Sequence, residues 1–148
     1  MSEANSFSSA VQQEISGLLE RLNADIVKIK KQDLLSVELL PKDSTCCPFS
    51  LSVVGDGRCD FFLGNYGRFE YMECSPEKAK EFVEAVLAGN VFVTIWSFKN
   101  KVLVAQTKVK AGVQSYVHKW SSLCNIITLL FAFPWIKKSE IQYQSYFR

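Results

Sequence analysis

Two turn sequences close together, Gly55-Asp56-Gly57 and Gly64-Asn65-Tyr66-Gly67, interrupt a run in which apolar and polar residues alternate. Gly, Asn and Asp are the residues that accept the left-handed backbone a tight hairpin needs. Alternation with period two puts one side chain in two on the same face of a strand. Leu35, Val37 and Leu39 oppose Ser36 and Glu38, and Phe49, Leu51 and Val53 oppose Ser50 and Ser52. A strand over Cys59 to Leu63 follows, and beyond the second turn Phe69 and Tyr71 alternate with Arg68, Glu70 and Met72. A chain written this way folds into antiparallel hairpins with one buried face.

The stretch FFLGNYGRFEY also invites a different reading, a glycine loop that holds a phosphate. Such a loop leads a strand into a helix N-terminus, whose unpaired N–H groups and dipole attract the anion. Here the glycines join strand to strand, so the hairpin is the expected structure. Tyr66 and Arg68 at its tip remain available for contacts.

Helical signals flank this region. Val11, Ile15, Leu18, Leu19 and Leu22 make an amphipathic stripe over residues 9–24, with Ser9 and Gln12 as a capping box and residues 1–8 as a flexible lead-in. In SPEKAKEFVEAVLAGN, Ser75 is the N-cap, Pro76 suits the first helical position, Glu77 faces the positive dipole end, and Gly89-Asn90 stops the helix. Its expected buried stripe is Ala79, Phe82, Val83, Val86 and Leu87. Strands over 91–98 and 102–109 then form a second hairpin across Lys99-Asn100-Lys101.

The run Leu123 to Ile136 is the most apolar in the chain. It is shorter than the roughly 20 apolar residues a membrane span requires and is followed by Lys137 and Lys138, so it reads as buried core. Its period does not distinguish helix from strand. The tail over 140–147 alternates and is expected to close a sheet. Together these elements predict an α+β domain, 1–148, with a mainly antiparallel sheet of about five to seven strands and two or three helices packed on one face. The 148 residues suffice for one core, and no linker or repeat divides them.

No basic opening or early apolar run marks a secretory leader, and the five cysteines, Cys46, Cys47, Cys59, Cys74 and Cys124, lack disulfide-framework or C-x-x-C spacing. The expectation is a cytoplasmic protein with reduced thiols. A single histidine, His118, and scattered cysteines argue against a metal site, and no cofactor-binding fingerprint is present, so no cofactor is expected. The carboxylates Asp56, Asp60, Glu70 and Glu73 lie where ordinary surface acids lie. The one enzymatic arrangement worth weighing is Cys74, just before a helix cap, acting as nucleophile with His118 as base.

Charge is unevenly distributed. Residues 1–84 carry 14 acids against 9 bases, whereas residues 85–139 carry seven lysines, no acid and all three tryptophans. Such asymmetry points to an anionic partner. Phe92, Trp96 and Phe98 share one face of a strand whose other face is apolar too, so this face is either covered or shows aromatics to solvent. If open, Phe92, Trp96 and Phe98 beside Lys99 and Lys101 form an aromatic and basic patch suited to a protein with an acidic surface. The expected function is therefore non-catalytic protein binding, in an inhibitor, immunity-type or adaptor role. Single-stranded nucleic acid is the alternative, with bases stacking on the rings, although no arginine lies in the basic segment. The oligomeric state is not readable.

Overall fold

The structure is a computed structural model that describes residues 2–22, 27–31 and 34–147, the segment 27–31 and Leu123 by backbone only. The first helix, α1 (Glu3–Leu19), starts well before the Ser9 capping pattern. Ser2 is its N-cap, accepting from the Asn5 amide, and buried Phe7 extends the stripe of Val11, Ile15 and Leu19 by another turn. Burial of one more aromatic outweighs a cap placed inside the helix. Of the expected helix over 9–24, residues 23 and 24 lie outside the described residues.

Five strands form a meander: β1 (Val27–Lys31), β2 (Leu35–Leu39), β3 (Phe49–Gly55), β4 (Arg58–Leu63) and β5 (Gly67–Glu73), each antiparallel to the next. Directly opposed residues share a face. Thus Leu39, Phe49 and Leu63 line up across the sheet, as do Val37, Leu51 and Phe61, and all six are buried. Both glycine turns are hairpin turns, with Gly57 and Gly64 at positive φ.

Helix α2 (Pro76–Leu87) has the cap, the proline and the buried stripe its sequence predicts, with the Ser75 hydroxyl accepting from the Lys78 amide. Gly89 at φ +80° stops it. Phe82 is the centre of the core, its ring 4.2 Å from Phe61, 5.5 Å from Phe69 and 5.4 Å from Tyr116.

A second antiparallel sheet follows in the order β8, β7, β6, β9, built from β6 (Val91–Phe98), β7 (Lys101–Ala111), β8 (Gln114–Ser121) and β9 (Lys137–Gln142). Between its two edge strands runs α3 (Leu123–Ala132), so the ambiguous apolar run is helix. The α+β class and antiparallel pairing agree with the sequence, while the strands divide between two sheets, and β1 and β8 were not anticipated. The closing strand sits at 137–142, and the tail beyond it serves as a tie, described below.

The sheets meet where β5 faces β8. His118 Nδ1 lies 3.0 Å from the Tyr66 carbonyl and 3.3 Å from the Arg68 amide, and a Cβ on Gly67 would come within 3.0 Å of Thr107 Cγ2. Only glycine allows that approach.

Candidate interaction surface

The β6–β7 connection is a two-residue turn, Lys99-Asn100, with both residues at positive φ, the conformation that matches strand twist in a tight hairpin. It aims two lysines outward at the tip. Lys99 Nζ stands 5.4 Å from the centroid of the Phe98 ring, and Lys101 pairs across the ladder with Phe98.

Next to this tip lies α3. The Ser122 hydroxyl caps it by accepting from the Asn125 amide at 3.2 Å. Asn125 and Ala132, two turns apart on one face, are buried. Of the other described side chains of α3, Thr128 and Leu129 are half-buried and the rest are exposed. Leu130 is 72% exposed, Phe131 82%, Phe133 74% and Trp135 71%. A helix apolar on all sides is normally buried, and burial is what the sequence predicted for this run. That expectation is corrected: α3 packs against β7, and a helix packed on a sheet turns only one stripe inward. Among the described residues no helix is long and apolar enough to cross a membrane.

Phe98, Ile127, Thr128, Phe131, Ala132 and Trp135 line a shallow apolar cavity of about 350 Å³. Lysines stand close to its Phe98 side and follow Trp135 in the chain. Lys99 and Lys101 come from the hairpin, while Lys137 and Lys138 start β9 directly opposite Ser97 and Trp96. The Ser97 hydroxyl donates to the Lys137 carbonyl at 3.5 Å, which holds the β9 start against the tip. Lys138 also pairs with Glu140 at 3.0 Å, both well exposed.

The residues singled out from sequence divide into separate places. Phe98, Lys99 and Lys101 belong to this apolar and basic end. Phe92 and Trp96 lie further along β6 and are half-buried, neither sealed nor fully open. Tyr66 and Arg68 sit at the junction of the sheets, where Tyr66 packs 5.5 Å from Trp120 and Arg68 lies 5.9 Å from the Phe62 ring. There Arg68, Glu70, His118, Lys119, Trp120 and Ser121 line a mainly polar pocket of about 300 Å³.

Cys74 and His118 are not brought together. His118 is fastened at the start of β5, and Cys74 follows its end, six residues beyond Arg68 and hence roughly 20 Å along a strand. Cys74 instead accepts a hydrogen bond from the Cys59 thiol, which holds its pKa below the ordinary thiol value despite burial, with Lys78 assisting; the same contact, with burial, pushes Cys59 up. The arrangement supplies no base to Cys74.

Sequence reasoning missed Leu130, Phe131, Phe133 and Trp135 as surface residues. The available signal was the Lys137-Lys138 pair immediately after them, which ties that segment to solvent. No protein-family model matches the chain, and no curated protein or solved structure matches it.

Proposed function

We propose that this chain is a non-catalytic binding protein whose partner is a protein with an apolar docking segment bordered by acids. The observation that carries this reading is the exposure of Leu130, Phe131, Phe133 and Trp135 at an apolar cavity that has Lys99 and Lys101 next to its Phe98 side. Stable protein interfaces have an apolar centre in which aromatic residues act as anchors, with a polar border around it. The lysines set the sign of the partner's charge. They also disfavour two copies meeting face to face here, since Glu140, the acid that stands beside them, is already paired with Lys138. The cavity favours a protein over a lipid surface, because a partner side chain can fill a socket that a bilayer does not require.

The test uses designed amphipathic peptides with leucine and phenylalanine on one face and either glutamate or lysine on the other. Binding is followed by Trp fluorescence and by anisotropy of a label on the peptide. The glutamate peptide is expected to bind, with loss in Phe131→Asp and at least tenfold weakening in a Lys99→Glu, Lys101→Glu double variant. Equal binding of the lysine peptide would overturn the reading. So would tighter binding to phosphatidylserine vesicles than to the peptide, or concentration-dependent dimerisation abolished by Phe131→Asp.

A further inference from the structure

The outer face of the second sheet presents a different pattern. Register places Val117, Lys108, Phe92 and Gln142 in one row across all four strands, and Lys119, Gln106, Thr94 and Glu140 in the next. Val104, Trp96 and Lys138 lie in the row after that. Directly opposed residues share a face, and the core side of this sheet is the one carrying Val91, Val109 and Ala111. None of the residues in these three rows is buried.

Phe92 and Trp96 therefore sit on one half-exposed face of a central strand, roughly 13 Å apart at four residues of strand rise. Thr94 and Gln106, which can hydrogen-bond, lie between them. Lysines stand on every side: Lys108 beside Phe92, Lys110 with its Nζ 4.7 Å from the Phe92 ring centroid, Lys119 on the β8 edge and Lys138 beside Trp96. The one acid in these rows, Glu140, is paired with Lys138.

We infer that this face binds single-stranded nucleic acid, with bases stacking on Phe92 and Trp96 and phosphates on the surrounding lysines. Flat rings separated along a strand, with hydrogen-bonding Thr94 and Gln106 between them, fit stacked bases better than the side chains of a folded partner. Lysines at the ring margins meet the phosphates that a stacked strand carries past them. This inference rests on Phe92 and Trp96, neither of which lines the cavity at α3, although Lys138 stands beside both surfaces.

The test is anisotropy of a short fluorescein-labelled oligouridine titrated with the intact chain at several salt concentrations. The plot of log affinity against log salt is expected to have a slope near −2, from about 0.7 for each phosphate met by Lys108, Lys110 and Lys119. Phe92→Ala and Trp96→Ala are each expected to weaken binding about tenfold or more. A Lys108→Glu, Lys110→Glu double variant should abolish binding with its thermal melt unchanged, and Trp135→Ala should leave binding as it was. Absence of binding at low salt would overturn the inference. Equal affinity for a duplex of the same length or for polyglutamate would do so too, as would affinity unmoved in folded Phe92 and Trp96 variants.

Discussion

Thr107 lies on the inner face of β7, 1% exposed, with its methyl against the backbone of Gly67. Its hydroxyl is the single buried side-chain oxygen or nitrogen without a hydrogen-bond partner among the described residues. A buried polar group left unpaired costs about 1–3 kcal/mol. Valine has nearly the same shape and nothing to satisfy, so Thr107→Val should stabilise the fold by ~1 kcal/mol and raise the melting temperature by about 2–4 °C. A lower melting temperature in a calorimetric scan would mean that the hydroxyl is bonded. Gly89 shows the opposite constraint. At φ +80°, an added Cβ would fall 2.7 Å from the Ser145 amide nitrogen and 2.8 Å from the Tyr143 carbonyl oxygen, both backbone atoms that cannot swing aside. Gly89→Ala should therefore cost at least ~2 kcal/mol in urea denaturation, counting left-handed strain as well as the clash. Loss of less than half that would show the tail yielding instead.

At the scale of elements, α2 was legible in full because cap, proline, stripe and glycine stop all agree, and each acts locally. The hairpins were legible for the same reason, since turn chemistry and alternation coincide. Helix α3 was not, because an all-apolar run does not say which of its sides the rest of the chain will cover. Cover depends on β7 and on the edge strands β8 and β9 that α3 connects, which is tertiary information. Likewise β8, QSYVHKWS, mixes polar residues on both faces, and only its register with β7 shows that Tyr116, His118 and Trp120 look toward the first sheet. The candidate surface was half legible: Phe98, Lys99 and Lys101 from the hairpin, but not the aromatics of α3. If the outer side of α3 takes no part in the core, Phe131→Ser should change unfolding free energy by less than about 0.5 kcal/mol. Phe82→Ala, at the centre of the core, should cost about 3–5 kcal/mol. Comparable losses from both in urea titrations would place Phe131 within the core and remove the basis for the docking surface.

Across the whole molecule, consecutive halves of the chain build separate sheets, so the acidic and basic portions of the sequence become different regions of the fold. What fastens them is the tail past β9. The Tyr143 amide donates to the Val91 carbonyl, the Gln144 amide to Thr45, and the Tyr146 amide to Leu87, while the Tyr146 hydroxyl donates to the Cys47 carbonyl. The tail thus ties the β2–β3 loop of the first sheet to the α2–β6 connection of the second. The tail packs over Cys46 and Cys47, which are buried, and the ionisable groups there reflect that. Burial pushes the Cys47 thiol up to about 12 from an ordinary value of 9.0, against a weaker opposing hydrogen bond from the Gly64 backbone, and it raises Tyr143 and Tyr146 as well. In each case the folded chain keeps a proton that the unfolded chain releases. Stability contributed by Cys47 is therefore complete below pH 9 and declines as pH rises from about 9 to about 12, with the tyrosines adding to the decline above their own unfolded values. The urea midpoint measured at pH 8, 10 and 11 should fall progressively, and Cys47→Ala should lower the midpoint at pH 8 while flattening the fall above pH 9. An unchanged slope in that variant would mean that the alkaline loss arises elsewhere, and that the tail does not exclude water from the junction it closes.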